Sequence, residues 1–222
     1  MAYSSRLKQL LLPGFVFQSV VIAGGYGTGR ELVEFFLSQG PLGGLLAMAV
    51  STLLWSLVCA VTYELARVLG AYDYRSLLKG LLGRAWGLYE GAYLLFLLLI
   101  LAVIAAAAGT ILQETFRVPY WIGVGGMMVA VGSLVPGGSK LIEGVMAFWS
   151  VVLYLAFFAL FVWCFHSFGP ETVQGFASAP LERGWGIAGV RYAAYNVALI
   201  PPLLFSVRKL ASRRETLLAG AL

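Results

Sequence analysis

Residues 91–112, GAYLLFLLLILAVIAAAAGTIL, contain no charged side chain. A run this long and apolar has no soluble face to offer water. It is long enough to cross a bilayer core of ~30 Å, which takes ~20 apolar residues as a helix. Similar runs recur along the chain, and none alternates every second residue as a barrel strand would. Because lipid cannot hydrogen-bond the backbone, each such segment must satisfy its own N–H and C=O groups, which a helix does. Composition agrees: 60% of the 222 residues are hydrophobic and 11% charged, with mean hydropathy +0.88, against about 25% charged in soluble domains. The expectation is an all-α membrane protein, a single transmembrane domain over residues 1–222 with the lipid bilayer as its first partner.

Six spans can be read, at 11–38 (interrupted at 23–30), 42–66, 88–112, 119–135, 141–166 and 187–207 (interrupted near Asn196–Pro202). The final ETLLAGAL reads as the first turns of a seventh. The opening Arg6, Lys8 and LLLPGFVFQSVVIA imitate a secretory leader, but the apolar pattern resumes at LVEFFLS, so the segment is read as a retained span. With the N-terminus in the cytoplasm, the inner segments hold Arg6, Lys8, Arg67, Arg75, Lys79, Arg84, Lys140, Arg208, Lys209, Arg213 and Arg214. The outer ones hold Arg117, Arg183 and Arg191, and Arg30 is intramembrane. This bias follows the positive-inside rule and places the chain, multi-pass, in the cell inner (plasma) membrane. A net charge of +5 is then explained by anionic lipid, with no nucleic-acid partner.

Between the spans, Leu77, Leu78, Leu81 and Leu82 with Lys79 and Arg84 suit a short amphipathic helix on the membrane surface. Residues 168–186 read as the longest outer loop, a cap or a lid. The small residues of 102–110 and 123–133, with Gly126 and Ala130 spaced as small-xxx-small, read as helix packing. Cys59 and Cys164 lie in apolar runs, and His166 ends a span. These isolated groups form no catalytic or metal cluster, so neither an enzyme nor a cofactor is expected.

One segment breaks the pattern. IAGGYGTGRELVEFF, residues 22–36, places Gly24, Gly25, Gly27 and Gly29 and then Arg30, Glu31 and Glu34 inside the first span. Each glycine costs about 1 kcal/mol against alanine in a helix, so the helix should open here. Open backbone at that depth persists only where it lines a cavity or binds something. Carbonyls freed at the end of the first half-helix suit a cation, and amides opening the second suit an anion. A charge at the depth of Arg30 costs ~2.5–3.5 kcal/mol or more and should face the bundle interior; Glu34, at i+4, is its natural partner. A phosphate-binding loop is excluded because Arg30 and Glu31 replace its Lys and Ser/Thr, and a dinucleotide fingerprint because no strand precedes the glycines. Pro201 and Pro202 give the sixth span a second break or hinge, with Tyr195 and Asn196 beside it. Paired interruptions in corresponding halves are the sequence pointer to a secondary transporter.

The order of these features resembles the LeuT-like fold of the amino acid–polyamine–cation (APC) transporter superfamily. More narrowly, AGGYGTGRELVEFF (23–36) is similar to the Gly-Tyr-Ala-Thr-Gly-Arg-Glu signature of bacterial YkvI-type membrane proteins, with Gly27 at the alanine. The resemblance implies a first five-span repeat, a broken span 6 that opens an inverted second repeat, and the start of span 7. It implies the N-terminal part of a protein of ten or more spans, completed either in sequence or by another chain, a homo-oligomer included. It implies substrate binding at Ala23, Gly24, Gly25, Tyr26, Gly27, Thr28 and Gly29 with Tyr195 and Asn196, and Na⁺ at the carbonyls of Ala23 and Gly24. Span 3 of such proteins offers an aromatic or polar side chain to the site, for which Tyr93 is a candidate. One Na⁺ site of such proteins also draws on span 8, which this chain does not reach.

The function so implied is a secondary active, ion-coupled symporter of a small polar or amino-acid-like solute. Na⁺ or H⁺ is the coupling ion, with Glu31 or Glu34 as proton carrier in the second case. The alternative is a non-transporting sensor or assembly protein of the same fold, or an inactive truncated fragment.

Overall fold

A computed structural model describes residues 2–24 and 29–222, and among them every regular element is helical. The elements are α1 (Ala2–Gly24), α2 (Arg30–Phe35), α3 (Gly40–Leu69), α4 (Tyr74–Leu82), α5 (Trp86–Phe116), α6 (Tyr120–Leu134), α7 (Gly138–Ser178), α8 (Trp185–Asn196) and α9 (Arg213–Ala221). Two 3₁₀ segments, Val197–Leu199 and Pro201–Val207, continue α8. Among the described residues, four helical stretches are long and apolar enough to cross a membrane: Arg30–Leu69, Tyr74–Phe116, Tyr120–Gly137 and Lys140–Ser178. Gln9–Ile22 is apolar but shorter.

The helix ends follow from local chemistry. Pro41 opens α3 in the first turn, where its missing N–H is no loss. Gly70, left-handed at φ 63°, closes it. The Gly70 amide donates to the Arg67 carbonyl and the Ala71 amide to that of Ala66, a Schellman motif. Asp73 then caps α4 by accepting from the Ser76 amide at 2.9 Å. The expected amphipathic helix is α4: Leu77 is buried, and Leu81 and Leu82 are exposed. Its first turn is tied to α5 by Arg75, whose guanidinium donates to Glu90 Oε1 at 2.8 Å.

α3 is the central helix, packed along α8 and α9. Its core face brings Cys59, Tyr63 and Ala66 against Ile200, Leu204, Val207 and Ala219. Two polar contacts fix the docking. The Thr216 hydroxyl donates to Glu64 Oε2 at 2.6 Å, and Arg67 closes on the same carboxylate at 2.6 Å. The Ser51 hydroxyl reaches the Gly189 carbonyl at 2.8 Å. At Gly189 a β-carbon would strike the Ala47 backbone and Val50.

α1 lies on α7 through two serines. Ser19 Oγ donates to the Met146 carbonyl and Ser150 Oγ to that of Phe15, both at 2.9 Å. The two hydroxyl oxygens are 2.6 Å apart, so each has one hydrogen to share between two acceptors.

Two expectations are corrected here. Residues 169–178 are not loop: α7 continues to Ser178, with non-helical angles at Phe168 and Pro170 just beyond. Pro170 falls where a new helix begins, the position at which proline is tolerated, so the chain bends without unwinding. The small-residue contact between α5 and α6 falls within the expected stretches 102–110 and 123–133, but at Gly109 and Gly123 and not at Gly126 and Ala130. The short 117–119 connection folds the start of α6 onto the end of α5. There Gly109 and Gly123 cross so closely that a β-carbon on Gly123 would lie 2.9 Å from the Gly109 Cα. Gly126 faces open space and Ala130 is exposed.

Candidate functional site

The interruption of the first span falls between α1 and α2. Gly29 is left-handed, at φ 68° and ψ −5°, a conformation no α-helix interior holds and one that glycine adopts without strain. Ala23 and Gly24 form the last described turn of α1. Gly25, Tyr26, Gly27 and Thr28 lie outside the described residues. The sixth span is interrupted as well: the α-helix stops at Asn196, and the chain proceeds to Val207 largely as 3₁₀ turns that include Pro201. A 3₁₀ run of seven residues exceeds the usual three or four and commonly marks a hinge.

The two interrupted elements lie side by side. α1 packs on the 3₁₀ segment Pro201–Val207 and touches Val197–Leu199, while α2 packs on α8. The first half of one therefore meets the second half of the other. An aromatic column holds this crossing. Trp55 of α3 meets Phe17 of α1 at 5.3 Å and Tyr192 of α8 at 5.3 Å. Tyr192 in turn meets Phe36 at 4.7 Å and Phe35 at 5.4 Å. Trp55 Nε1 also donates to the Ala193 carbonyl at 3.2 Å. Trp55 and Tyr192 were not among the sequence candidates. Their only signal is position, a tryptophan midway along α3 and a tyrosine one turn before Asn196.

The remaining candidates are placed as follows. Asn196 is buried, 1% exposed, and its Nδ2 donates to the Tyr192 carbonyl at 3.1 Å on its own helix. Tyr195 is 52% exposed and turns away from that core, within electrostatic range of Glu31. Glu31 Oε2 is buried without a hydrogen-bond partner among the described residues. Arg30 and Glu34 do pair, at 3.8 Å, but their side chains are 85% and 61% exposed. The expectation that Arg30 faces the bundle interior is thus corrected. α2 has only six residues, and it docks through Leu32, Phe35 and the adjoining Phe36; residues 30 and 34 occupy the opposite face of so short a helix. Tyr93 is buried among Tyr74 and Tyr89, near the α4 end of α5 and away from the crossing.

A cavity of about 210 Å³ opens beside the crossing, between α1, α3, α7 and α9. Its polar wall comprises Gln18, Thr52, Ser56, Tyr63 and Tyr154. Gln18 Oε1 is buried there with no protein partner among the described residues. Such a wall can hydrogen-bond a small polar molecule from several sides, and the Trp55 and Phe17 rings supply its apolar floor.

Fold and site together define a helical membrane protein with two interrupted helices packed side by side and a cavity next to them between α1, α3, α7 and α9. The chain is similar to the uncharacterized membrane protein YkvI of Bacillus subtilis (strain 168), 29% identical over 213 residues, which are 94% of this chain and 60% of that protein. It therefore spans about three fifths of the length of the relative it matches. No family model matches the chain, and no solved structure matches it.

Proposed function

We propose that the chain forms part of a secondary active transporter, an ion-coupled symporter of a small polar or amino-acid-like solute. In this reading it lies in the cell inner membrane with its N-terminus cytoplasmic and its helices in a LeuT-like arrangement. The observation that carries the reading is the antiparallel packing of two interrupted helices, α1–α2 and α8 with its 3₁₀ continuation. Irregular backbone at membrane depth is stable where it lines a site, and paired breaks are how transporters build one. The solute would sit against Ala23–Gly29 and Asn196, with Tyr195 at the outer edge near Glu31. A solute carboxylate suits the amides opening α2, and Na⁺ suits carbonyls such as those of Ala23 and Gly24. Should H⁺ couple instead, Glu31 is the carrier, since its Oε2 is buried and unpartnered.

Uptake of radiolabelled amino acids into proteoliposomes tests this. An imposed Na⁺ gradient should drive accumulation of at least one of them, and replacing Na⁺ with choline at constant pH should abolish it. If a proton gradient drives uptake instead, Glu31→Gln should remove the pH dependence. A second reading, a sensor or assembly protein, is favoured by the exposed Arg30–Glu34 pair, a charged surface within an apolar stretch that another chain or segment would cover. Solute binding without uptake under either gradient would decide for it.

A further inference from the structure

A second cavity, of about 510 Å³, opens beside Leu12 of α1, where α3 ends and α7 begins. Three cations from two separate parts of the chain line it: Lys140 at the start of α7, and Arg208 and Lys209 just after the 3₁₀ segment Pro201–Val207. No described carboxylate is within ion-pair range of any of the three. The one acidic group in the wall, Asp73, is already committed to the α4 amide of Ser76. Among the described residues the lining thus carries three cations against one carboxylate, a net positive charge, in a cavity of a size usual for small-ligand sites.

Its position narrows the ligand. Gly70, Tyr72 and Asp73 follow the end of the candidate span Arg30–Leu69, and Lys140 begins the candidate span Lys140–Ser178. The opening therefore stands at the level where helices leave the hydrocarbon. The amphipathic α4 starts beside it, and a tyrosine lines it, as suits the interfacial layer. Leu12 and Phe205 give it an apolar inner wall. Cations at the rim and apolar side chains behind them fit a molecule whose phosphate meets water and whose remainder is hydrocarbon. A free phosphate would use the first and waste the second.

We infer that this cavity binds the headgroup of an anionic phospholipid, with its phosphate held by Lys140, Arg208 and Lys209. Basic pockets between transmembrane helices recognise such headgroups by charge at close range. The site is separate from the crossing of the interrupted helices and does not depend on what that crossing transports.

The test is native mass spectrometry of the purified protein equilibrated with equal amounts of phosphatidylglycerol and phosphatidylcholine. The parent should retain phosphatidylglycerol preferentially, and each cation removed should lower that preference about fivefold. The triple variant Lys140→Gln, Arg208→Gln, Lys209→Gln should show none. Arg84→Gln, at the same end of the bundle but outside the cavity, should retain the parent's preference. An unchanged preference in the triple variant overturns the inference, as does an equal loss in Arg84→Gln. Displacement of the lipid by inorganic phosphate at millimolar concentration also overturns it, by making the free anion the ligand. Should the triple variant fail to fold, the three single variants serve, and singles that all match the parent overturn it equally.

Discussion

The α3–α8 contact shows how differently two neighbouring residues can matter. Ser51 gives a hydroxyl to the Gly189 carbonyl, and polar contacts between membrane helices average only about 0.6 kcal/mol. The serine also reaches the Ala47 carbonyl at 3.0 Å on its own helix, so its hydrogen has a second acceptor. Ser51→Ala should therefore lower stability by about 0.6 kcal/mol, read from unfolding in increasing SDS. Gly189→Val should do far more, because a β-carbon there meets the Ala47 and Val50 atoms directly. Overpacking of this kind costs about 1–3 kcal/mol, and the variant should unfold at clearly lower SDS. Equal midpoints for the two variants would contradict the packing described. None of this could be read from the sequence, where Gly189 is one small residue among many; its partner is 138 residues away in the chain.

At the scale of the element, α4 has a pH-dependent beginning. The Ser76 hydroxyl and, after it, the Ser76 amide hold the Asp73 carboxyl below the ordinary carboxylate range. A depressed folded-state pKa means stabilisation that is complete above the unfolded value and lost as pH falls through the folded one. Measured against the intrinsic exchange rate at each pH, protection of the Ser76 and Leu77 amides should consequently be high at neutral pH and fall in acid below the usual carboxylate pKa. Asp73→Ala should raise exchange at neutral pH, consistent with a cap of about 1 kcal/mol, and flatten the acid dependence. This element was legible in advance, because Leu77, Leu78, Leu81 and Leu82 repeat at helical spacing. The continuation of α7 past Phe168 was not. Gly169, Pro170 and Gly175 suggested a loop by composition, yet Pro170 occupies a first-turn position, where proline is compatible with helix.

At the scale of the molecule, the chain's membrane character was plain from its apolar runs, and both interruptions were plain from glycine and proline. How the interrupted helices meet was not plain, because Trp55, Tyr192 and Phe36 carry no motif and act only through contact. The exposure of Arg30 in this chain was hidden for the same reason: depth along the chain does not say which face of a short helix docks. Sidedness has its own test. Single cysteines introduced at Arg84 and at Arg117, in a background lacking Cys59 and Cys164, should be labelled by an impermeant maleimide from opposite sides of the membrane. Position 84 should react only from the cytoplasm if the N-terminus is inside. Labelling of both from one side would refute the order of spans.

The serine contact between α1 and α7 has one more property. Ser19 bonds the carbonyl of Met146, which is four residues before Ser150, and Ser150 bonds the carbonyl of Phe15, four residues before Ser19. Each hydroxyl thus takes the acceptor that the other would use for the ordinary back-bond of serine within a helix. If the helices part, both can turn home and leave no hydrogen stranded in the lipid. The join is a reversible exchange of partners, and opening it forfeits packing but no hydrogen bond.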